Sequence, residues 1–168
     1  MSSRPPEIES FVTSARAYCA LVEGLEGEWE PPALARAIVP VLAQLLAAGC
    51  ALPRVETTST SVPDFIDHDR WYRQFTRLGA VFGRADVYWS NLDLTDPATA
   101  RAGAGSLADD LTDIWRDLRQ GLDAIDTGSD WRDVVFEWRL SFLTHWGRHA
   151  VEALRPLHAA LRADLFQR

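Results

Sequence analysis

The feature that most constrains this chain is a helical period in its apolar residues, repeated block after block. Leu107, Leu111, Ile114, Trp115, Leu118, Leu122 and Ile125 recur at intervals of three and four, the spacing that lines one face of an α-helix. Ile8, Phe11, Val12, Ala15, Tyr18, Cys19 and Val22 do the same, which predicts a helix over 7–23, stopped by Gly24 and Gly27. Pro31 and Pro32 suit the first turn of a second helix, running to Ala48 before Gly49 and kinked at Pro40. A third begins near His68 with Asp64 or Asp67 as its cap, turns Trp71, Phe75, Leu78 and Phe82 inward, and ends at Gly83. Residues 51–66, with prolines and a Thr/Ser cluster, read as a loop.

The C-terminal third carries a different pattern. Ser129 or Asp130 caps a helix on which Trp131, Val134, Trp138, Phe142, His145 and His149 share one face. Leu143, Leu154 and Leu161 fall nearly opposite, so this helix is expected to be sandwiched between others. Gly147 and Pro156 are places for it to bend or restart before Phe166. Residues 86–94 are aromatic without a helical period and read as an extended segment laid over the bundle. Residues 95–106 hold Pro97, Gly103 and Gly105 and read as the longest flexible loop. Gly103-x-Gly105 before a helix is a weak anion-binding signal, with neither a preceding strand nor a third glycine. The expectation is an all-α, single-domain bundle over 1–168 with five to seven helices and no sheet beyond a stray bridge. The helix from Leu107 should pack on the helix from Trp131, bringing Trp115 near Trp138 or Trp146.

Composition narrows the function. All 17 basic residues are arginine, and the absence of lysine excludes a Walker-type phosphate loop and a Schiff-base lysine. A net charge of −7 argues against a nucleic-acid partner. Arg70, Arg73 and Arg77 form a stripe read as a solvated face paired with neighbouring acids. Seven tryptophans suggest a core of large rigid side chains. Cys19 and Cys50 have no CxxC spacing, and the N-terminus has no apolar signal-like stretch, so a reduced, cytoplasmic protein is expected. The apolar run over 32–52 is broken by Arg36, Pro40 and Gln44, which favours a core helix over a membrane span.

Polar residues then single out one region. Ser106 is the N-cap of the fourth helix, with Asp109 three residues on as a short capping-box variant. At 100° per residue Asp110, Asp113 and Asp117 span about 60° beside its apolar face. His145 and His149 lie one turn apart. These residue types are those of a metal site between helices, with Asp113, Asp117, His145 and His149 as the ligand set. Arg116 pairs with the acids, and Glu137 offers a further ligand or a general base, although it lies about 80° from His145 around the helix. The competing reading is a polar network satisfied inside the core, and it is preferred here: no metal and no other cofactor is expected. There is no HExxH, and no paired Glu-x-x-His signature of di-metal bundles. A Ser141, His145, Asp113 triad is rejected because Ser141 and His145 share a helix without an oxyanion hole. His68 and His158 read as isolated surface residues. Asp113 or Asp117 should come within reach of His145, His149 or an arginine on the C-terminal helix.

The blocks DDLTDIWRDLRQGL and HWGRHA resemble a bacterial family known as a domain of unknown function, whose members are small all-helical proteins. The likeness is specific over 106–158 and looser over the first helix and Tyr88-Trp89. By motif it carries over Asp109, Asp110, Asp113, Arg116, Asp117, Glu137, His145, Trp146, Gly147 and His149. It implies the fold class and no activity. Two readings of function follow. The preferred one is a non-catalytic helical module that binds another protein, without a nucleic-acid or membrane partner. The alternative is a small metal-dependent hydrolase built on the Asp/His cluster.

Overall fold

A computed structural model describes residues 4–58, 61–91 and 102–163. The expectations for 92–101, including Pro97, and for the helix end at Phe166 lie outside the described residues. Six α-helices and one hairpin are present among the described residues: α1 Pro6–Gly24, α2 Pro31–Cys50, α3 His68–Phe82, β1 Val87–Asn91, β2 Ala102–Ser106, α4 Leu107–Asp126, α5 Trp131–Ser141 and α6 Gly147–Ala163. Phe142–Trp146 is a π turn that joins α5 to α6.

The helical periods become the core. All seven periodic positions of α1 are buried. α2 packs on α1 and α6 through Leu34, Ala35, Ile38, Leu42 and Leu45. By length and composition α2 could cross a membrane, yet this face lies in the common core. It continues through Pro40, which is exposed, and through Gly49 to Cys50. Gly49 is therefore a packing residue rather than a stop: a Cβ there would stand 2.7 Å from the Trp146 ring. Asp67 caps α3 by accepting from the Arg70 amide at 2.7 Å, and Gly83 ends it at φ 51. Of the arginine stripe on α3, Arg77 is not solvated surface. It donates to the carbonyls of Val22, at 2.6 Å, and Leu25, and so closes the end of α1. Arg70 reaches Asp123 at 2.9 Å, and Arg73 is exposed.

Two expectations are corrected. Residues 102–106 are not loop but β2, paired antiparallel with β1 from Val87↔Ser106 to Asn91↔Ala102. Of the glycines that suggested flexibility, Gly105 makes room: a Cβ there would overlap the Tyr88 ring lying across it. Asp86 welds this hairpin to α4, accepting from the Ser106 hydroxyl at 2.9 Å and the Ala108 amide at 2.7 Å. Second, α4 does pack on α5, but Trp115 faces the other way. Its indole N–H donates to Glu23 of α1 at 2.9 Å, and the Arg70 guanidinium lies over its ring at 5.6 Å. The α4–α5 seam is made instead by Gly121 and Trp138, whose indole N–H donates to the Asp117 carbonyl at 3.1 Å. A Cβ at Gly121 would overlap that indole. Gly121→Ala should therefore lower stability by about 1–3 kcal/mol through overpacking, read from urea unfolding; an unchanged midpoint would contradict this seam.

Regular α geometry breaks just before Gly147, at the π turn, and α6 continues through Pro156. A Cβ on Gly147 would overlap the Phe142 carbonyl oxygen, so glycine is what lets the wide turn close. The Phe142 ring packs on Trp146 in a tilted contact at 4.7 Å, and His145, inside the π turn, is directed at α4.

Candidate functional site

Three aspartates on α4 meet two histidines, one from the π turn and one from the first turn of α6. His145 Nδ1 lies 2.8 Å from Asp117 Oδ2, and His149 Nδ1 lies 2.7 Å from Asp110 Oδ1. Between them stands Asp113, whose Oδ2 is 3.4 Å from His145 Nε2 and 3.4 Å from His149 Nε2. Its other oxygen accepts from the Trp71 indole at 2.8 Å. The rings of His145 and His149 meet edge to face at 4.9 Å.

The hydrogen bonds dictate the tautomers. An ionised carboxylate only accepts, so each Nδ1 must carry the proton donated to Asp117 or Asp110. In the neutral rings each Nε2 then carries a lone pair and lies 3.4 Å from Asp113 Oδ2. Three lone-pair-bearing atoms this close repel unless a cation or a proton lies among them. Exposed Arg148 approaches His149 Nε2 only at 3.5 Å.

Burial sharpens the electrostatics. His149 is 8% exposed and Asp110 5%. Burial pushes the His149 ring toward its neutral form, but the hydrogen bond and charge of Asp110 and the charge of Asp113 outweigh it, and the net shift is upward. Burial, then the charge of Asp113, raises the Asp109 carboxyl, which lies near Asp110 and His149. Two sets of ligand atoms fall within 4.8 Å of one another: Asp113, His145, His149, and Asp109, Asp110, His149.

The hairpin contributes a residue that periodicity does not reveal. Tyr88 donates to Asp110 Oδ2 at 2.6 Å, so Asp110 is held from both sides, by a phenol and by an imidazole. Burial and this bond raise the Tyr88 phenol well above its ordinary range. Tyr88→Phe should cost about 1–2 kcal/mol, because a buried carboxylate loses a donor. Chemical denaturation measures it, and a neutral substitution would mean that water replaces the phenol.

Of the residues singled out from sequence, Asp110, Asp113, Asp117, His145 and His149 converge. Arg116 lies at the edge, with Nε 3.5 Å from Asp117 Oδ1. Glu137 does not join them. It is exposed and lines a separate cleft of about 260 Å³ that borders Asp117 and Trp138. His145, on the wide π turn, is directed at α4, while Glu137, about two turns earlier on α5, is exposed. His68 is exposed but not isolated, for its ring stacks on Trp71 at 5.9 Å. A second cleft, of about 400 Å³, runs from His68 and Trp71 to Asp113 and Arg116.

A family model described as a domain of unknown function, DUF5063, matches residues 2–163. The chain belongs to this family. The DUF5063 fold has a solved counterpart in the crystal structure of protein BF1032 from Bacteroides fragilis, a structural-genomics target. That structure superposes with a TM-score of 0.78 at 19% identity, over 94% of this chain and 96% of the other. The likeness is one of fold. No curated protein gives a significant match to this DUF5063 chain.

Proposed function

We propose that this protein holds one divalent first-row metal ion between α4 and the π turn, on Asp113 Oδ2, His145 Nε2 and His149 Nε2, and uses it in hydrolysis. The observation that carries the reading is the pair of 3.4 Å separations between the Asp113 oxygen and the two Nε2 atoms. Nitrogen and oxygen ligands about 2.0–2.1 Å from a tetrahedral ion stand roughly 3.3 Å from each other. Each Nδ1–H is at the same time tied to a carboxylate, the arrangement that orients ligating imidazoles and raises their basicity. Two histidines and one carboxylate leave a coordination position open, where a divalent ion lowers the pKa of a bound water toward neutrality.

The chain's own groups divide the remaining work. Asp110 and Asp117 fix the rings, Tyr88 fixes Asp110, and the Trp71 indole fixes Asp113. Asp109 is a further carboxylate, half-buried near Asp110 and His149, that would be available as a proton acceptor once the site is filled. Reconstituting the stripped protein with zinc or manganese should create hydrolysis of activated carboxyl or phosphate esters that a chelator abolishes. A metal-loaded, folded protein without turnover on any of them would overturn the hydrolytic part.

A second reading keeps the site structural and assigns the protein to binding a partner protein. It is favoured by exposed apolar side chains, Trp89 at 73% and Leu143 at 63%, on the hairpin and on the outside of the π turn. A folded chain that takes up no divalent ion leaves this reading in place.

A further inference from the structure

We propose that the cleft of about 400 Å³ between α3 and α4 receives the oxyanion group of a small substrate, a phosphate ester or a carboxylate, with Arg116 as its anchor. This rests on the metal reading above. Asp113 belongs to both features: Oδ2 faces the imidazoles, and the same side chain lines the cleft. A group bound there would therefore share Asp113 with the proposed ion.

The charged groups of the cleft are not equally free. Asp67 is committed to the cap of α3, through the Arg70 amide. Asp113 is committed to the Trp71 indole on one oxygen and to the imidazole side on the other. Arg116 is different. Its side chain is 40% exposed, and among the described residues its one ion pair is a 3.5 Å approach of Nε to Asp117. Its terminal nitrogens make no hydrogen bond to the described residues. A guanidinium with a free fork matches a carboxylate or phosphate in two-point geometry. His68 stands across the cleft as a further donor, beside the positive end of α3, and Trp71 supplies an apolar wall. The size fits a small molecule rather than a polymer segment. The carboxylates nearby repel an anion while the metal position is empty, so oxyanion binding should require the ion.

The test uses the full chain loaded with cobalt(II), whose visible absorption reports its ligands. Inorganic phosphate and acetate are titrated separately into wild type and Arg116→Gln. The expected result is a saturable spectral shift in wild type, weakened roughly 10–100-fold in the variant, as loss of charge-assisted hydrogen bonds implies. Cobalt affinity itself should be the same in both proteins. The tighter of the two anions distinguishes a phosphate ester from a carboxylate substrate. If Arg116→Gln does not fold, Arg116→Lys, which keeps the charge but not the fork, should still weaken phosphate several-fold. Unaltered anion titrations in a cobalt-loaded variant would overturn this inference and leave the metal reading standing. Failure of wild type to bind cobalt would overturn the metal reading and this inference with it.

Discussion

Asp113→Asn should weaken metal binding by roughly 100-fold or more while leaving the fold intact, as expected for the loss of a charged ligand in a site of few ligands. The two effects separate because the carboxylate's oxygens have different partners. Oδ1 accepts from the Trp71 indole at 2.8 Å, and an asparagine oxygen can still do so. Oδ2 faces both Nε2 atoms, where an amide nitrogen would present donors to a position that needs an anion. Zinc titration by calorimetry, with circular dichroism as the control, reads both. An Asp113→Asn variant that binds zinc as tightly as wild type would place the ligands elsewhere.

Trp138→Ala should cost about 3–5 kcal/mol of stability, the range for emptying a buried aromatic site. Its ring is 1% exposed and meets Phe11 at 5.0 Å. Both polar ends of the residue are also used: the indole donates to the Asp117 carbonyl, and the Trp138 carbonyl accepts from the Trp146 indole at 3.2 Å. The substitution thus loosens α4 against α5 at the residue that holds His145. Urea unfolding measures the loss; a change under about 1 kcal/mol would show that the seam between these helices is made by other contacts.

The fold is legible because its helices bury a three-and-four spacing that any side-chain set must obey. The first face of α1 and the Ser106 cap of α4 stand where the period and the capping residue put them. What periodicity cannot carry is azimuth and distance between elements. Trp115 and Trp138 both belong to apolar faces, yet Trp115 turns to α1 and α3 because α4 is apolar over a wide arc with neighbours on several sides. The second strand of the hairpin is hidden in the sequence because glycine, which weakens strands in general, is here required at position 105 beneath Tyr88.

The candidate site divides in the same way. Spacing alone places Asp110, Asp113 and Asp117 on one side of α4 and pairs His145 with His149. It does not state which ring nitrogen each carboxylate takes. That detail comes from the π turn and from the packing of α6 on α4. On an unbroken α-helix Glu137 already stands about 80° from His145, and with the π turn in place it lies outside the cluster, on the separate cleft.

Metal content decides whether a cation lies among Asp113, His145 and His149. The full chain is stripped with chelator, dialysed against zinc or manganese, freed of unbound ion and analysed for elements and protein together. Wild type should hold one tightly bound equivalent, lost in His145→Ala and in His149→Ala. A chain that is folded by circular dichroism yet retains far less than one equivalent, or whose histidine variants retain as much metal as wild type, would contradict it.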